Sequence, residues 1–470
     1  MLPPRVEEER VIHSYLGLDG ILRRTFIEIS PSPNELNPNQ AVSRLKLGPH
    51  QAEDFYLMVS CDLPDEPART SVFDQALGEI RKWYNRVDEA ACIVETSNEQ
   101  FSEMMGRARA DLNMMITETS QGLYPYAGIP WFNTVFGRDG IITALETLWL
   151  NPDLARGVLN YLAAEQATDL IPEQDAEPGK ILHEERKGEM AATGEVPFGK
   201  YYGTVDATPL FIVLAGYYYE RTGDLEFIRT LWPEIEGALH WIAIYGDADK
   251  DGFVEYARRA TDGLSNQGWK DSGDSIFHAD GASAQPPIAL CEVQGYVYEA
   301  KMKAGQMASA LGKKELSDTL FHEAAVLRDK FVKTFWCPDL GLYALALDGE
   351  KRLCRVRTSN PGHCLFSGIA DEKHARMIVQ NLLGEKFFTG WGVRTVASSE
   401  IRYNPMSYHN GSVWPHDNAL VAFGMARYRF KEAAARVLAG FFDATLFLDL
   451  HRPPELFCGF DRSRGEGPTL

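Results

Sequence analysis

The sequence predicts a mainly helical fold, built as two concentric layers of helices and preceded by a small, partial antiparallel β region. Three observations carry this reading. Short β-favouring runs are confined to the N-terminal stretch. Beyond them, two kinds of helical pattern occur: residues 207–219 (ATPLFIVLAGYYY) are apolar nearly all round, as in a helix buried on most sides, whereas 313–335 gathers Leu316, Leu320, Leu327, Phe331 and Phe335 on one stripe, as in an outer helix. Long loops rich in glycine and aromatic residues separate these patterns with no repeat period, which argues against a regular solenoid.

Residues 21–29 (ILRRTFIEI), 40–47 (QAVSRLKL) and 53–61 (EDFYLMVSC) read as short strands, split by the turn-rich SPSPNELNPN and by GPH. So few strands cannot bury both faces of a sheet. The acidic, proline-bearing DLPDEPA then marks a boundary between residues 65 and 90, giving a β-rich segment 1–64, a linker helix region 65–98 and a helical domain 99–470. Helices are expected near 99–117, 139–149, 153–165, 207–219, 224–246, 291–311, 313–335, 371–383, 416–428 and 430–446. Within 224–246, Leu225, Ile228, Leu231, Ile235, Leu239 and Ile242 keep helical spacing, Asp224 is the N-cap and Pro233 a break or kink. Val293, Val297, Ala300, Ala304 and Met307 repeat the theme in 291–311.

The 47 Lys and Arg against 66 Asp and Glu leave a charge of -19, which excludes a surface built for nucleic acid or an anionic membrane. The seven cysteines contain no Cys-x-x-Cys pair, so neither a disulfide framework nor a cysteine zinc site is expected. The start, MLPPRVEEERV, lacks a secretory pattern, and a cytoplasmic location is expected. No Gly-rich phosphate loop, Gly-x-Ser-x-Gly elbow or dinucleotide fingerprint is present, so phosphoryl transfer and serine hydrolysis lose their footing. DADKDGFVEY at 247–256 begins like a calcium loop, but Arg258 stands where a bidentate Glu is required, so a polar turn is the reading.

Chemistry-bearing residues sit in the loops, which exceed the usual limit of about 12 to 15 residues for structureless connections. In NQGWKDSGDSIFHADG (266–281), Asp271 and Asp274 are framed by Trp269, Phe277 and His278. Bulky rings beside a carboxyl desolvate it and raise its pKa, as a general acid requires; equally, these aspartates are the usual residues of a turn. A partner carboxyl is needed for glycoside cleavage, at about 6.5 to 9.5 Å when a water fits between. Glu455, in RPPELFCGF, is that candidate, its alternative being a surface glutamate. WFNTVFGRDG (131–140) sets Trp131 and Phe132 ahead of Arg138 and Asp139, a donor and acceptor for vicinal hydroxyls behind flat apolar faces, or else a capping Asp with an unrelated Arg. MSYHNGSVWPHDNAL (406–420) adds Tyr408, His409, Trp414 and His416, whose spacing fits no zinc pattern and suits hydrogen bonding and stacking.

Taken together, WFNTVFGRDG, YYGTVDATPLF, NQGWKDSGDS, YHNGSVWPHDNAL and PELFCGF resemble the bacterial amylo-α-1,6-glucosidase or glycogen-debranching-like family, and YLGLDGILRRTFIEISPSP is similar to the end of that family's N-terminal β domain. The resemblance covers nearly the whole chain. It implies an (α/α)6 toroid of the six-hairpin kind found in glucoamylases and trehalases, inverting hydrolysis of α-glucosidic bonds in an oligosaccharide or α-glucan, and no metal or cofactor. The same fold also serves glycoside phosphorylases, and a non-catalytic sugar binder is the reading from another class. On this resemblance Arg138 and Asp139 hold the glucose, joined by Asp206, Lys270, Tyr408, His409 and His416, with Trp269 and Trp414 stacking on it. Asp274 is the acid, with Asp271 in support, although the Trp-Lys-Asp spacing favours Asp271; Glu455 is the base. The resemblance also implies that most of the β domain and the toroid's last helix lie outside this chain, leaving apolar flanks for another chain or a dimer partner to cover.

Overall fold

The structure, a computed structural model, describes residues 1–7, 9–62 and 73–470. Most of the DLPDEPA boundary, and the start of the expected linker, lie outside those residues. The chain divides into two compact units, one of residues 1–91 with 187–199 and one of 92–186 with 200–470.

The first unit carries six strands, β1 (Arg5–Glu7), β2 (Arg10–Leu16), β3 (Leu22–Ser30), β4 (Glu35–Asn37), β5 (Gln40–Val42) and β6 (Tyr56–Asp62). Four form an antiparallel sheet in the order β1-β2-β3-β6, registered so that Ile12 faces Phe26 and Phe26 faces Ser60; β4 and β5 pair as a hairpin. Val11, Ile12 and Phe26 are its buried residues. The run expected over 40–47 pairs only across Gln40–Val42, while β2 is a strand that the sequence pattern does not announce: His13 and Ser14 interrupt its apolar run, and pairing with β3 supplies what propensity does not.

Thirteen helices lie among the described residues: α1 (Phe73–Ala90), α2 (Glu99–Met115), α3 (Gly137–Thr147), α4 (Pro152–Ala164), α5 (Glu189–Ala192), α6 (Ala207–Thr222), α7 (Leu225–Ile244), α8 (Cys291–Ala310), α9 (Lys314–Phe335), α10 (Asn360–Ser367), α11 (Glu372–Leu382), α12 (Pro415–Arg427) and α13 (Lys431–Thr445). None is long and apolar enough to cross a membrane. In the second unit α3, α6, α8, α10 and α12 pack in succession as an inner layer, with α4, α7, α9, α11 and α13 against their outer faces. With α2 these make eleven helices, the arrangement of an (α/α)6 toroid one helix short of its twelve among the described residues. Burial follows the layers: α6 and α8 are enclosed on nearly every side, whereas α9 buries Leu320, Leu327, Phe331 and Phe335 along one stripe. Close approach within the inner layer requires Gly424, where a Cβ would stand 2.5 Å from the Phe366 backbone nitrogen.

The first and last helices of this unit touch. Phe101 of α2 and Phe442 of α13 have ring centroids 5.4 Å apart, and the Thr445 hydroxyl reaches the Met104 sulfur at 3.4 Å, so the two ends of the helical unit are in contact there. Asp224 caps α7 as expected, accepting from the Phe227 N–H at 3.0 Å, but the helix runs through Pro233 without a break. Burial of Phe227, Ile228, Leu231, Trp232 and Ile235 outweighs a local cost of about 3 kcal/mol for an interior proline. The eight-residue α10 is not legible in the sequence, because NPGHCLFS carries proline and glycine where a helix pattern is sought.

The 247–252 turn holds Asp247, Asp249 and Asp251 together, and the cation among the neighbouring acids is a side chain. The Lys351 ammonium lies 2.7 Å from Asp249, 2.8 Å from Asp251 and 2.7 Å from Glu255. Lys351→Met leaves three mutually repelling carboxylates, of which Glu255 is buried. It is expected to lower unfolding free energy by about 1 to 3 kcal/mol in urea denaturation, less than a fully buried pair would lose because Lys351 is part-exposed.

Candidate active site

The inner layer explains why the chemistry-bearing residues converge. Arg138 and Asp139 open α3, Asp206 immediately precedes α6, Glu292 follows the first residue of α8, Asn360 begins α10, and Trp414, His416 and Asp417 open α12. Five inner helices thus present their N-terminal ends, with unpaired N–H groups and positive dipole ends. Gly137 is fixed by this packing: a Cβ there would meet the Leu182 carbonyl oxygen at 1.9 Å. A short antiparallel ribbon of Val135–Phe136, Glu184–Glu185 and Lys200–Tyr201 sets Glu184 opposite Phe136, two residues before Arg138.

Arg138 is the hub. Its Nη1 donates to both oxygens of Asp206 at 3.3 and 3.2 Å, and its Nη2 donates to Asp271 Oδ2 at 2.9 Å. Asp206 also accepts from the Thr204 hydroxyl at 2.6 Å. Burial works against the guanidinium's charge, but Asp206, Asp271 and Asp139 outweigh it and keep Arg138 protonated. The carboxyl of Asp271 is pushed above the ordinary carboxylate range by burial first and by the charges of Asp139 and Asp206 next, with Arg138 opposing. Asp139 is raised by burial too, with Arg138 opposing and Asp206 and Glu455 adding. The residue is nevertheless open to water at the start of α3.

Glu455 accepts a 2.6 Å hydrogen bond from the Tyr408 hydroxyl, and burial together with that bond raises the phenol, which keeps its proton. Charge on Asp271 and Asp139 also reaches Tyr408, so the tyrosine links the two carboxylate groups. Arg452 anchors the segment carrying Glu455 by donating two 2.7 Å hydrogen bonds to Asp111 of α2.

The two aspartates of the 266–281 loop separate. Asp271 faces Arg138, whereas Asp274 is exposed, its side chain accepting from Asn410 Nδ2 at 3.0 Å and its carbonyl from Arg402 Nη1 at 2.7 Å. Of the two aspartates, Asp271, the one expected only in support, is thus the one that meets the arginine, while Asp274, expected to lead, is exposed. Lys270, expected at the sugar, is buried and donates to the Thr395 carbonyl at 2.7 Å; burial lowers its ammonium to about 8. Trp269 and Trp414 are also buried. His363 lies parallel to Trp269 at 5.7 Å between centroids, His409 and His416 meet the indole edge-on, and Trp414 stacks on His409 at 5.1 Å. The tryptophans expected to stack on sugar therefore pack on histidines. His409 holds Ser272 Oγ at 2.5 Å and is driven down to about 2 by burial and then by Lys270 and Arg138; His416 is driven down to about 4 by burial, so both rings are neutral.

Open aromatic faces stand at the lip instead: Trp131 is 60 % exposed and Phe132 50 %. Arg186 backs them, its guanidinium 5.0 Å from the Trp131 ring, and donates to the Trp131 carbonyl at 3.0 Å and to Glu184 at 3.3 Å. Burial raises Glu184 to about 6, Arg186 opposing and Asp139 and Asp271 adding. Glu184 and Arg186 escaped the sequence reading; the charged run HEERK inside a long loop was the signal that could have found them.

A helical toroid whose mouth gathers desolvated carboxyls around one arginine, beneath exposed aromatic faces, is the architecture of a glycoside hydrolase. The chain belongs to the family of mannosylglycerate hydrolase MGH1-like glycoside hydrolases, whose domain matches residues 136–446. Residues 1–58 match the N-terminal domain of some glycogen debranching enzymes. No curated protein matches the chain. Among solved structures it is similar to the GH63 mannosylglycerate hydrolase from Thermus thermophilus in complex with Tris, at 16% identity over 78% of this chain and 96% of that one with a TM-score of 0.56. The same enzyme with Tris and D-glycerate matches at 16% identity and TM-score 0.57, and with glucose at 18% and 0.53, with the same coverage of 78% and 96%. At these identities the likeness establishes the fold.

Proposed function

We propose that this glycoside hydrolase is an inverting α-glucosidase that cleaves a terminal glucose from a neutral oligosaccharide or α-glucan, with catalysis assigned to residues 99–470. The observation that carries the reading is the pairing of a desolvated Asp271 on Arg138 with a Glu455 held by Tyr408. Asp271, rather than Asp274, protonates the departing glycosidic oxygen, and Glu455 takes a proton from the water that attacks the opposite face of C1. Arg138 and Asp139 hold the sugar hydroxyls, since a guanidinium donates and a carboxylate accepts, while Asp206, expected at the sugar, is fully buried and holds Arg138 from behind.

The family's name raises a second reading, a glycosyl-glycerate with its anionic aglycone. Arg138 is already engaged by Asp206 and Asp271, and Arg186 by Glu184, in a mouth that also holds Asp139 and Glu455. A carboxylate aglycone, or the phosphate of a phosphorolytic reaction, meets more negative charge than positive there. The deciding experiment is a panel of α-1,4- and α-1,6-linked glucosides beside mannosylglycerate and glucosylglycerate, with and without phosphate, the first-formed anomer being followed by NMR. β-Glucose from neutral substrates is expected. Turnover confined to the glycosyl-glycerates, or dependent on phosphate, would sink the proposal.

Trp131 supplies the stacking surface for the second sugar ring. Trp131→Ala is expected to raise KM for oligosaccharides by about 3- to 10-fold, the worth of one aromatic contact, and to leave kcat on a short aryl glucoside unchanged. Initial-rate kinetics across chain lengths measure it.

A further inference from the structure

Below the mouth, three buried side chains form a chain that the proposed chemistry does not use. The His363 ring is gripped from both sides: Nε2 lies 2.7 Å from Asp417 Oδ1 and Nδ1 2.5 Å from the Tyr296 hydroxyl. All three residues are at most 2 % exposed. Burial acts against the Asp417 charge, but the hydrogen bond from His363 and nearby cations prevail and hold the carboxyl below its ordinary range. Burial raises Tyr296 far above its ordinary value, so its hydroxyl keeps its proton. Both ring nitrogens are therefore engaged, Nδ1 with the Tyr296 hydroxyl and Nε2 with the Asp417 carboxylate. An imidazole bonded at both nitrogens has lost its freedom to turn.

That ring is the surface on which Trp269 rests, with 4° between their planes. Trp269 is two residues from Asp271, and its neighbours are tied down as well: Lys270 to the Thr395 carbonyl, Ser272 to His409 and, through its own carbonyl, to Asn266 at 2.7 Å. Only the Asp271 side chain in this stretch points to the arginine hub. Three helices meet in the clamp, since Tyr296 is on α8, His363 on α10 and Asp417 on α12.

We propose that His363 is a positioning residue: clamped by Tyr296 and Asp417, it fixes the Trp269 indole and thereby the place from which Asp271 delivers its proton. This rests on the reading of Asp271 as the acid.

The test uses Tyr296→Phe, which deletes one hydroxyl, and His363→Phe, which keeps a flat ring but no nitrogens. Each is compared with the unaltered protein on a maltooligosaccharide, whose leaving group needs a proton, and on α-glucosyl fluoride, whose fluoride departs without one. The expected result is a fall in kcat of about 10- to 100-fold on the oligosaccharide, the penalty of a misplaced catalytic group, with turnover of the fluoride and both KM values within about threefold. Crystal structures of the variants should show Asp271 drawn off Arg138 from the present 2.9 Å. Equal losses on both substrates, no loss on either, or an unmoved Asp271 would overturn the proposal. If the unaltered protein hydrolyses no α-glucoside, the functional reading fails by itself, and the variant structures still decide whether His363 positions Asp271. Tyr296→Phe guards against misfolding, because it alters one hydroxyl in an otherwise intact core.

Discussion

Asp271→Asn is expected to lower kcat on α-linked oligosaccharides by about 10³-fold or more, within the range that a positioned general acid contributes. The loss should be much smaller on α-glucosyl fluoride. Asp274→Asn, at an exposed position, should leave both activities within about twofold. The same assignment fixes the sign of the pH dependence. The acid works only while protonated, and its carboxyl is raised by burial and by Asp139 and Asp206. Activity is therefore retained above the ordinary carboxylate range and falls as pH rises through the raised value, making Asp271 the alkaline limb of kcat/KM. Asp139→Asn removes one of the raising charges and should move that limb to lower pH. A limb that stays put in Asp139→Asn, or an active Asp271→Asn, would refute the assignment.

Glu455→Gln is expected to be as damaging, about 10³-fold or more, but on every substrate alike, because water must be activated whatever group departs. Glucosyl fluoride thus separates the two carboxyls: it spares the loss of Asp271 and not that of Glu455. Tyr408→Phe removes the 2.6 Å hydrogen bond to Glu455 and should cost about tenfold, the worth of a bond to a charged group. Stopped assays with each substrate measure both effects, and a Glu455→Gln variant that turns over the fluoride normally would refute its role.

The layers of the toroid were legible in the sequence because burial leaves a pattern: a helix enclosed on all sides reads as an apolar run, and an outer helix as a stripe. The ten expected helices are all present. The short β2 and α10 were not legible, since each owes its conformation to neighbours and not to local preference. Motifs brought Arg138, Asp139, Asp206, Asp271 and Glu455 into view, and the structure brings Arg138, Asp206 and Asp271 into contact. They could not tell Asp271 from Asp274, three residues apart in one turn, because the difference lies in which one meets an arginine 133 residues away. Nor could they foresee that Trp269 and Trp414 face histidines: an aromatic residue beside carboxylates looks the same in sequence whether its ring meets sugar or protein.

The anchoring of the Glu455 segment on α2 bears on the order in which this enzyme is made. Arg452 and Asp111 are 341 residues apart, as are Met104 and Thr445. Contacts of that separation carry the greatest loop-closure entropy and form late, after the local helix pairs have reported most of the secondary structure. On the proposed roles, the acid and its arginine lie on segments that can assemble before those contacts form. The segment of Glu455 is fastened twice, nearby through the Val413–Phe457 bridge and the Tyr408 hydroxyl, and at long range through Arg452 on Asp111. On the proposed roles, the base is thus moored by near and distant contacts together, and its final setting waits on the meeting of the two ends of the helical unit.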